Sequence, residues 1–424
     1  VSIREDLLAA PVVPLRYLVS FNPRPTSDSG GDAVYLPMEA ISEFGPADTS
    51  RRRPLDDLRQ GYSYVADGDI ALAKVTPCFE NGKGLVARNL PDGQAFATTE
   101  VTVMRPSTRV EADYLGWILQ SSPFLRQGAS HMTGSGGLRR IPDSFVGSYS
   151  IPVPARRTQR AIADFLDRET ARIDTIIEEQ RRLIEMLRER REVVIDEELA
   201  KRGVRAPTSL DGSGRYEVPD GWQVVLLGRA LRQLTNGFVG PTRDILVEDG
   251  VRYIQSTHIK AGRIDFERRP FYVSREWHDE RPRIHLMVGD VLIVQTGDIG
   301  KVAVVPPGFG DASCHALQIA RVRPELLSGE YLATFLSSRL GYNSLLVRAT
   351  GALHPHLEAG IRSVPVVVPP GPVQAEIVQD SARQTAKIDV LIGETERFIE
   401  LARERRAALI TAAVTGQIDV RETA

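Results

Sequence analysis

A chain of 424 residues is long enough for about two to four domains. With 42% hydrophobic and 25% charged residues each can build an ordinary core, which excludes global disorder. Cys78 and Cys314 are too few for a disulfide framework or a cysteine-rich zinc site, no apolar run reaches the ~20 residues of a membrane helix, and the opening Val1-Ser2-Ile3-Arg4-Glu5 lacks an apolar signal core. The expectation is a soluble, cytoplasmic protein. A net charge of −2 gives no bulk field for nucleic acid, so any such surface must be a local patch. The 47 arginines against six lysines match GC-rich codon usage and by themselves say nothing about DNA.

Residues 13–150 read as mixed α and β. Strand-like segments at Tyr35–Pro37, Ile70–Val75 and Thr99–Arg105 alternate with Gly, Pro and Asp turns, Tyr114–Leu119 is a short amphipathic helix, and a last strand covers Tyr149–Val153. From about Arg157 the text becomes charged and helix-forming. Positions 173, 177, 180, 184, 187, 191 and 194 alternate in steps of four and three, the period of a coiled-coil seam. Ile173, Ile177, Ile184 and Leu187 carry that seam, which only Gln180 and Arg191 interrupt. Pro219-Asp220-Gly221-Trp222 then opens a second mixed region, 219–368, with a helix expected over Tyr331–Leu340. Gly371-Pro372 starts a second long helix, whose seam includes Ile388, Ile392, Ile399 and Ile410. At 1.5 Å per residue each is a rod of roughly 60–70 Å.

The two halves are copies. Sliding the chain by 215 residues lays Val153–Lys201 over Val368–Gly416 without a gap, with 19 of 49 pairs identical. Arg188-Glu189-Arg190-Arg191 recurs as Arg403-Glu404-Arg405-Arg406, and Gln159 as Gln374. More loosely, Gly68-Asp69 matches Gly289-Asp290 and Gly82-Lys83 matches Gly300-Lys301. Two rods with equivalent apolar stripes are each other's natural partner. Packing on their own domains, or on a second molecule, are the other arrangements open. The fold class expected is α+β: two mixed domains (1–152 and 206–368), separated by two long helices (153–205 and 369–424) that pack together as a coiled coil.

No reaction centre is legible. Gly134-Ser135-Gly136-Gly137 lacks the following Lys-Thr of a phosphate loop, and no glycine-rich dinucleotide fingerprint opens a βαβ unit. Of the seven histidines only His354 and His356 are close in sequence, and no Cys or acidic cluster completes a metal set around them. Cys78 reads as a core thiol.

Two variable domains, each followed by a copy of one long helix, resemble the DNA specificity subunit of a Type I restriction-modification system. The local text agrees: Ala73-Lys74-Val75-Thr76-Pro77-Cys78-Phe79-Glu80-Asn81-Gly82-Lys83-Gly84 with Thr98-Thr99-Glu100 resembles one version of that family's target recognition domain. Pro152-Val153-Pro154 through Gln159-Arg160-Ala161-Ile162 to Asp167 resembles the start of its central conserved helix. The second helix start keeps the glutamine, Gln374, but loses most of the flanking pattern. The resemblance implies a non-catalytic reader of double-stranded DNA whose two target recognition domains each recognise half of a split, asymmetric target, with the two helices packed as an antiparallel coiled coil between them. It also implies that two methyltransferase subunits dock on the helices and restriction-translocase subunits on the assembly. S-adenosylmethionine, ATP and Mg would belong to those partners, with no cofactor and no metal on this chain. A variant is the recognition subunit of a bifunctional enzyme whose partner fuses nuclease and methyltransferase; a different class is a coiled-coil scaffold that binds proteins.

Base edges need side chains with paired donors and acceptors, and phosphates need Arg or Lys. On that chemistry the first domain offers Lys74, Thr76, Lys83, Ser135, Arg139 and Arg140, from polar loops beside strands and the Gly-rich turn. The second offers Arg243, Gln255, Thr257, His258, Lys260, Gln295, Thr296 and Lys301. Reading sites on one DNA face recur about one turn apart, ~34–36 Å, so a rigid rod suits a fixed gap between half-sites.

Overall fold

The computed structural model describes residues 2–25, 31–59, 61–135, 137–205, 216–260, 262–350, 356–357 and 359–420; Gly136 and His354, singled out above, lie outside the described residues. The chain forms two compact units, Val1–Arg181 with Glu396–Ala424, and Arg182–Thr395. Each unit therefore holds one globular region and a part of both long helices, α1 (Arg156–Lys201) and α2 (Gly371–Val414).

In the first unit one four-stranded antiparallel sheet runs Val19–Phe21, Val101–Pro106, Ile70–Ala73, Gly84–Val86. A second runs Arg52–Pro54, Asp32–Leu36, Gln94–Ala97, Ser63–Ala66, with one parallel pair, Tyr35 opposite Phe96. The unbroken apolar run Ile70-Ala71-Leu72-Ala73 follows from burial on both faces, because strand side chains alternate. Ile70 and Leu72 face a core with Tyr114, Leu115, Ile162 and Phe165, while Ala71 faces another with Val34, Leu36, Val65 and Val103. Val12–Pro14 pairs with Ser150–Pro152 and delivers the chain into α1.

The second unit repeats this plan. Its antiparallel sheet runs Leu231–Asn236, Leu317–Val322, Val291–Val294, Val302–Val304, and its other sheet contains the parallel pair Val251–Ile254 with Ala312–Cys314. Val291 and Ile293 face one core, Leu292 and Val294 the other. Gln223–Leu226 pairs with Pro365–Val368 before α2. The helix expected over Tyr331–Leu340 is two helices, Gly329–Ser337 and Arg339–Leu346. Ser338 separates them: its hydroxyl donates to the Phe335 carbonyl at 2.6 Å and accepts from the Gly341 N–H at 3.0 Å, so it starts a new helix.

Both helix starts are locked by the same glutamine. Gln159 accepts from the Glu111 N–H at 2.8 Å and donates to the carbonyls of Arg109 and Pro154 at 3.0 and 2.9 Å. Gln374 accepts from the Ser328 N–H at 3.0 Å and donates to those of Leu326 and Pro369, both at 2.9 Å. Both are buried. The hydroxyls of Tyr114 and Tyr331 likewise donate to Pro152 and Val367, at 3.0 and 2.7 Å.

Within the second unit α1 and α2 run antiparallel: Arg191 meets Asp389, Glu198 meets Gln384 and Arg202 meets Asp380, rising numbers against falling ones. Within the first unit Asp174 meets Arg406 at 3.0 Å, and Ile162, Phe165 and Leu166 share a core with Ile410, Ala413 and Val414. Ile177, Ile184, Ile388, Ile399 and Ile410 are buried, and Ile173, Leu187 and Ile392 half-buried. Another row stays exposed. Ile176, Leu183 and Met186 lie on one face of α1, at spacings of seven and three, and their duplicates Leu391, Phe398 and Leu401 on α2 are exposed as well.

Candidate nucleic-acid interface

In the first unit the loop that follows Ile70–Ala73 is pinned by a hairpin, Thr133–Ser135 against Leu138–Arg140. Val75 bridges to Arg140, the Thr76 N–H donates to the Arg139 carbonyl at 2.9 Å, and the Ile141 N–H donates to the Lys74 carbonyl at 2.8 Å. The Thr76 hydroxyl accepts from the Arg139 N–H at 2.8 Å. Beneath the loop, Phe79 is buried edge-on against Phe124, which fixes the turn that carries Thr76. The result is an exposed finger of Ser135, Leu138, Arg139 and Arg140, with Thr76 at its base.

The two arginines of the finger each meet a carboxylate. Arg139 Nη2 lies 3.0 Å from Glu80. Arg140 makes a fork with Glu100, Nε to one oxygen at 2.8 Å and Nη2 to the other at 2.7 Å. That hydrogen bonding holds the Glu100 carboxyl below the usual carboxylate range, so it stays ionised at neutral pH, against a smaller opposing effect of burial. Lys74, half-buried, adds positive charge beside Glu100. Lys83 is directed elsewhere, donating from Nζ to the Met38 carbonyl at 3.3 Å.

The second unit pins the corresponding loop in the same way but with other side chains. Thr296 bridges to His356, the Leu357 N–H donates to the Gln295 carbonyl at 3.0 Å, and the Thr296 hydroxyl lies 2.8 Å from His356 Nδ1. Lys301 is exposed and pairs with Asp298 at 2.6 Å. Gln255 and Thr257 sit on the short turn Ser256–His258 and its cap, and Lys260 on the strand Ile259–Lys260 paired with Arg263–Ile264, where Lys260 lies 3.7 Å from Asp265. Arg243 is exposed.

Two sequence candidates are not surface groups. His258 is buried, accepting at Nδ1 from the Gln255 N–H at 2.9 Å and bonding the Arg269 carbonyl through Nε2 at 2.8 Å. Gln295 is buried and accepts from Gln318 Nε2 at 2.8 Å. Their chemistry looked right because a polar residue beside a strand carries no mark of which way it points; here both point inward. Sequence reasoning missed Glu80 and Glu100, although both stand in the motif text around Lys74, because a base or phosphate reader is sought among donors.

Strand register aligns the two pinned loops. Leu72 lies opposite Thr102 and Ile293 opposite Gln318, so Glu100 corresponds to Ala316 and Arg140 to His356. The scaffold is duplicated and the side-chain chemistry is not. Among the described residues no group of three or more His, Cys, Asp or Glu could hold a metal ion, and no helix is long and apolar enough to cross a membrane.

No protein-family model matches the chain. It is 37% identical over 153 residues to the Type I restriction enzyme EcoEI specificity subunit of Escherichia coli, a stretch that covers 35% of this chain and 26% of that subunit. The chain thus spans about a quarter of the length of the curated relatives it matches. A chain solved for the complex assembly and conformational transition of the type I R-M system superposes with a TM-score of 0.74 at 19% identity, over 97% of this chain and 99% of that one. The HsdS subunit from Thermoanaerobacter tengcongensis superposes with a TM-score of 0.51 at 18% identity, over 96% and 97% of the two chains. In fold over nearly its whole length, and in sequence over about a third of it, this chain is similar to the specificity subunits of Type I restriction-modification systems.

Proposed function

We propose that this chain is the non-catalytic DNA specificity subunit of a Type I restriction-modification complex, acting in the cytoplasm. Each globular region reads one half of a bipartite, asymmetric target in double-stranded DNA. The observation that carries this reading is the duplicated, pinned loop whose side chains differ, Glu100 and Arg140 in one copy against Ala316 and His356 in the other. Equal scaffolds with unequal side chains suit a reader of two different half-sites.

The duplicated exposed rows Ile176, Leu183, Met186 and Leu391, Phe398, Leu401 suit two copies of one partner, the methyltransferase subunits. Restriction-translocase subunits join that assembly. S-adenosylmethionine, ATP and Mg act on those partners, and the length of the helices sets the unread gap in the target. The test is a methylation map of DNA modified by the full chain with its methyltransferase subunits, repeated after residues 13–150 are exchanged for those of a relative. One half of the target should change while the other half and the gap persist. A map with no split target, or one in which both halves change together, overturns the reading.

A further inference from the structure

Arg140 is held in a way that distinguishes it from every other basic candidate in the first unit. Its Nε and Nη2 both bond to Glu100, at 2.8 and 2.7 Å, yet its side chain remains 46% exposed. A guanidinium gripped along its Nε–Nη2 edge keeps its Nη1–Nη2 edge free, two parallel N–H donors in a fixed plane. Both partners are anchored by backbone. The Glu100 carbonyl accepts from the Lys74 N–H at 2.9 Å, and Arg140 is bridged to Val75. The fork is therefore oriented before any ligand arrives, which removes the rotamer cost of binding.

The carboxylate also selects what that edge attracts. Beside Glu100 the guanidinium's charge is largely neutralised, which weakens its pull on a phosphate anion but leaves its two donors intact. Paired donors without strong net charge fit a neutral base edge with two adjacent acceptors, and in the major groove that edge is the O6 and N7 of guanine. Arg139, bound to Glu80 by a single nitrogen, lacks this fixed plane. Ala316 and His356 at the equivalent positions of the second unit cannot reproduce it.

We propose that Arg140 reads a guanine in the half-site of the first unit through its Nη1–Nη2 edge, with Glu100 as the residue that positions it. This inference rests on the DNA-specificity reading above. The test uses the full chain assembled with its methyltransferase subunits and selects bound sequences from a randomised duplex library, for the wild type, R140A, R140Q, R140K and E100Q. In the wild type one G·C pair of the first half-site is strongly preferred. R140A should flatten that position alone, by roughly ten- to hundred-fold. R140Q should move the preference toward A·T, since glutamine pairs with adenine, and R140K should not restore the guanine. E100Q should weaken preference at the same pair and nowhere else. The second half-site, read in the same experiment, reports that each variant is folded and assembled.

If R140A weakens binding to all sequences alike and lowers the salt slope by about one, Arg140 contacts a phosphate and the proposal fails. It also fails if the guanine preference survives R140A, or if E100Q disturbs positions that R140A leaves alone. A wild-type complex that selects no split sequence overturns the specificity reading itself, a result distinct from any of these.

Discussion

Arg191 of α1 donates from Nε to Asp389 of α2 at 2.8 Å, and this is the same contact, in the duplicate, as that of Arg406 with Asp174 at 3.0 Å. The arginine that interrupts the apolar seam in each helix copy is thus answered by the aspartate of the other copy. A charge at a seam position fixes register, because sliding the helices by one turn would leave it facing apolar neighbours. Each pair is part-exposed, so its energetic share is modest and its role is alignment.

A double-mutant cycle on Arg191 and Asp389 should accordingly give a coupling energy of about 0.5 kcal/mol. Swapping the charges, R191D with D389R, should recover much of what either single reversal loses. Chemical denaturation measures both, and a swap no better than the single reversals would mean the pair does not set register.

Replacing either buried glutamine should cost more. Q159A leaves the Glu111 N–H and the carbonyls of Arg109 and Pro154 without their partner, and Q374A does the same to Ser328, Leu326 and Pro369. Each should destabilise its own unit by about 2–4 kcal/mol. Because the two sites share no partner, the effects should add in the double variant, as read from unfolding curves.

Glu198 makes the second unit acid-sensitive. Burial pushes its carboxyl up, but hydrogen bonds from Lys201, Arg202 and Gln384 together outweigh this and hold it at about 2. A folded value below the unfolded one adds stability that is complete above pH ~4.5 and is lost as the pH falls toward 2. The contribution at pH 7 is on the order of 2 kcal/mol. E198Q should therefore be less stable than the wild type at pH 7, and the difference should shrink across that window. A stability gap independent of pH would show that packing, not charge, is what Glu198 supplies.

The helices can be lengthened to ask whether they are the ruler for the target. Four residues inserted after Glu189, together with four after Val390 on the antiparallel partner, add about one turn or 6 Å to each helix and keep both seams facing. The unread gap should grow by one or two base pairs, at about 3.4 Å per step, with both half-sites unchanged in the methylation map. Two residues at each point rotate the helix beyond them by about 200°, turning the seams outward, and no active complex should form. An active four-residue variant with an unaltered gap would mean that the partner subunits position the reading domains.

The duplication, the two helices and their seams were all legible in the sequence, because a period of 3.5 is a local property that a one-dimensional text preserves. The observed helix starts, Arg156 and Gly371, lie within a residue of the sequence reading, while the ends at Lys201 and Val414 fall short of the expected 205 and 424. The apolar run at 70–73 announced a strand for the same reason, though not that its side chains divide between two cores. Side-chain direction in the loops was not legible. Nothing local separates His258 and Gln295, which point inward, from Thr257 and Thr296 beside them, which are exposed. Nor could spacing bring Glu100 to Arg140, forty residues away, since that pairing depends on a hairpin folding back across the end of a sheet. The sequence by itself determined the repeat and the helices through local periodicity; only the tertiary structure decided which polar groups meet, because those contacts arise from segments distant in the chain that share no pattern.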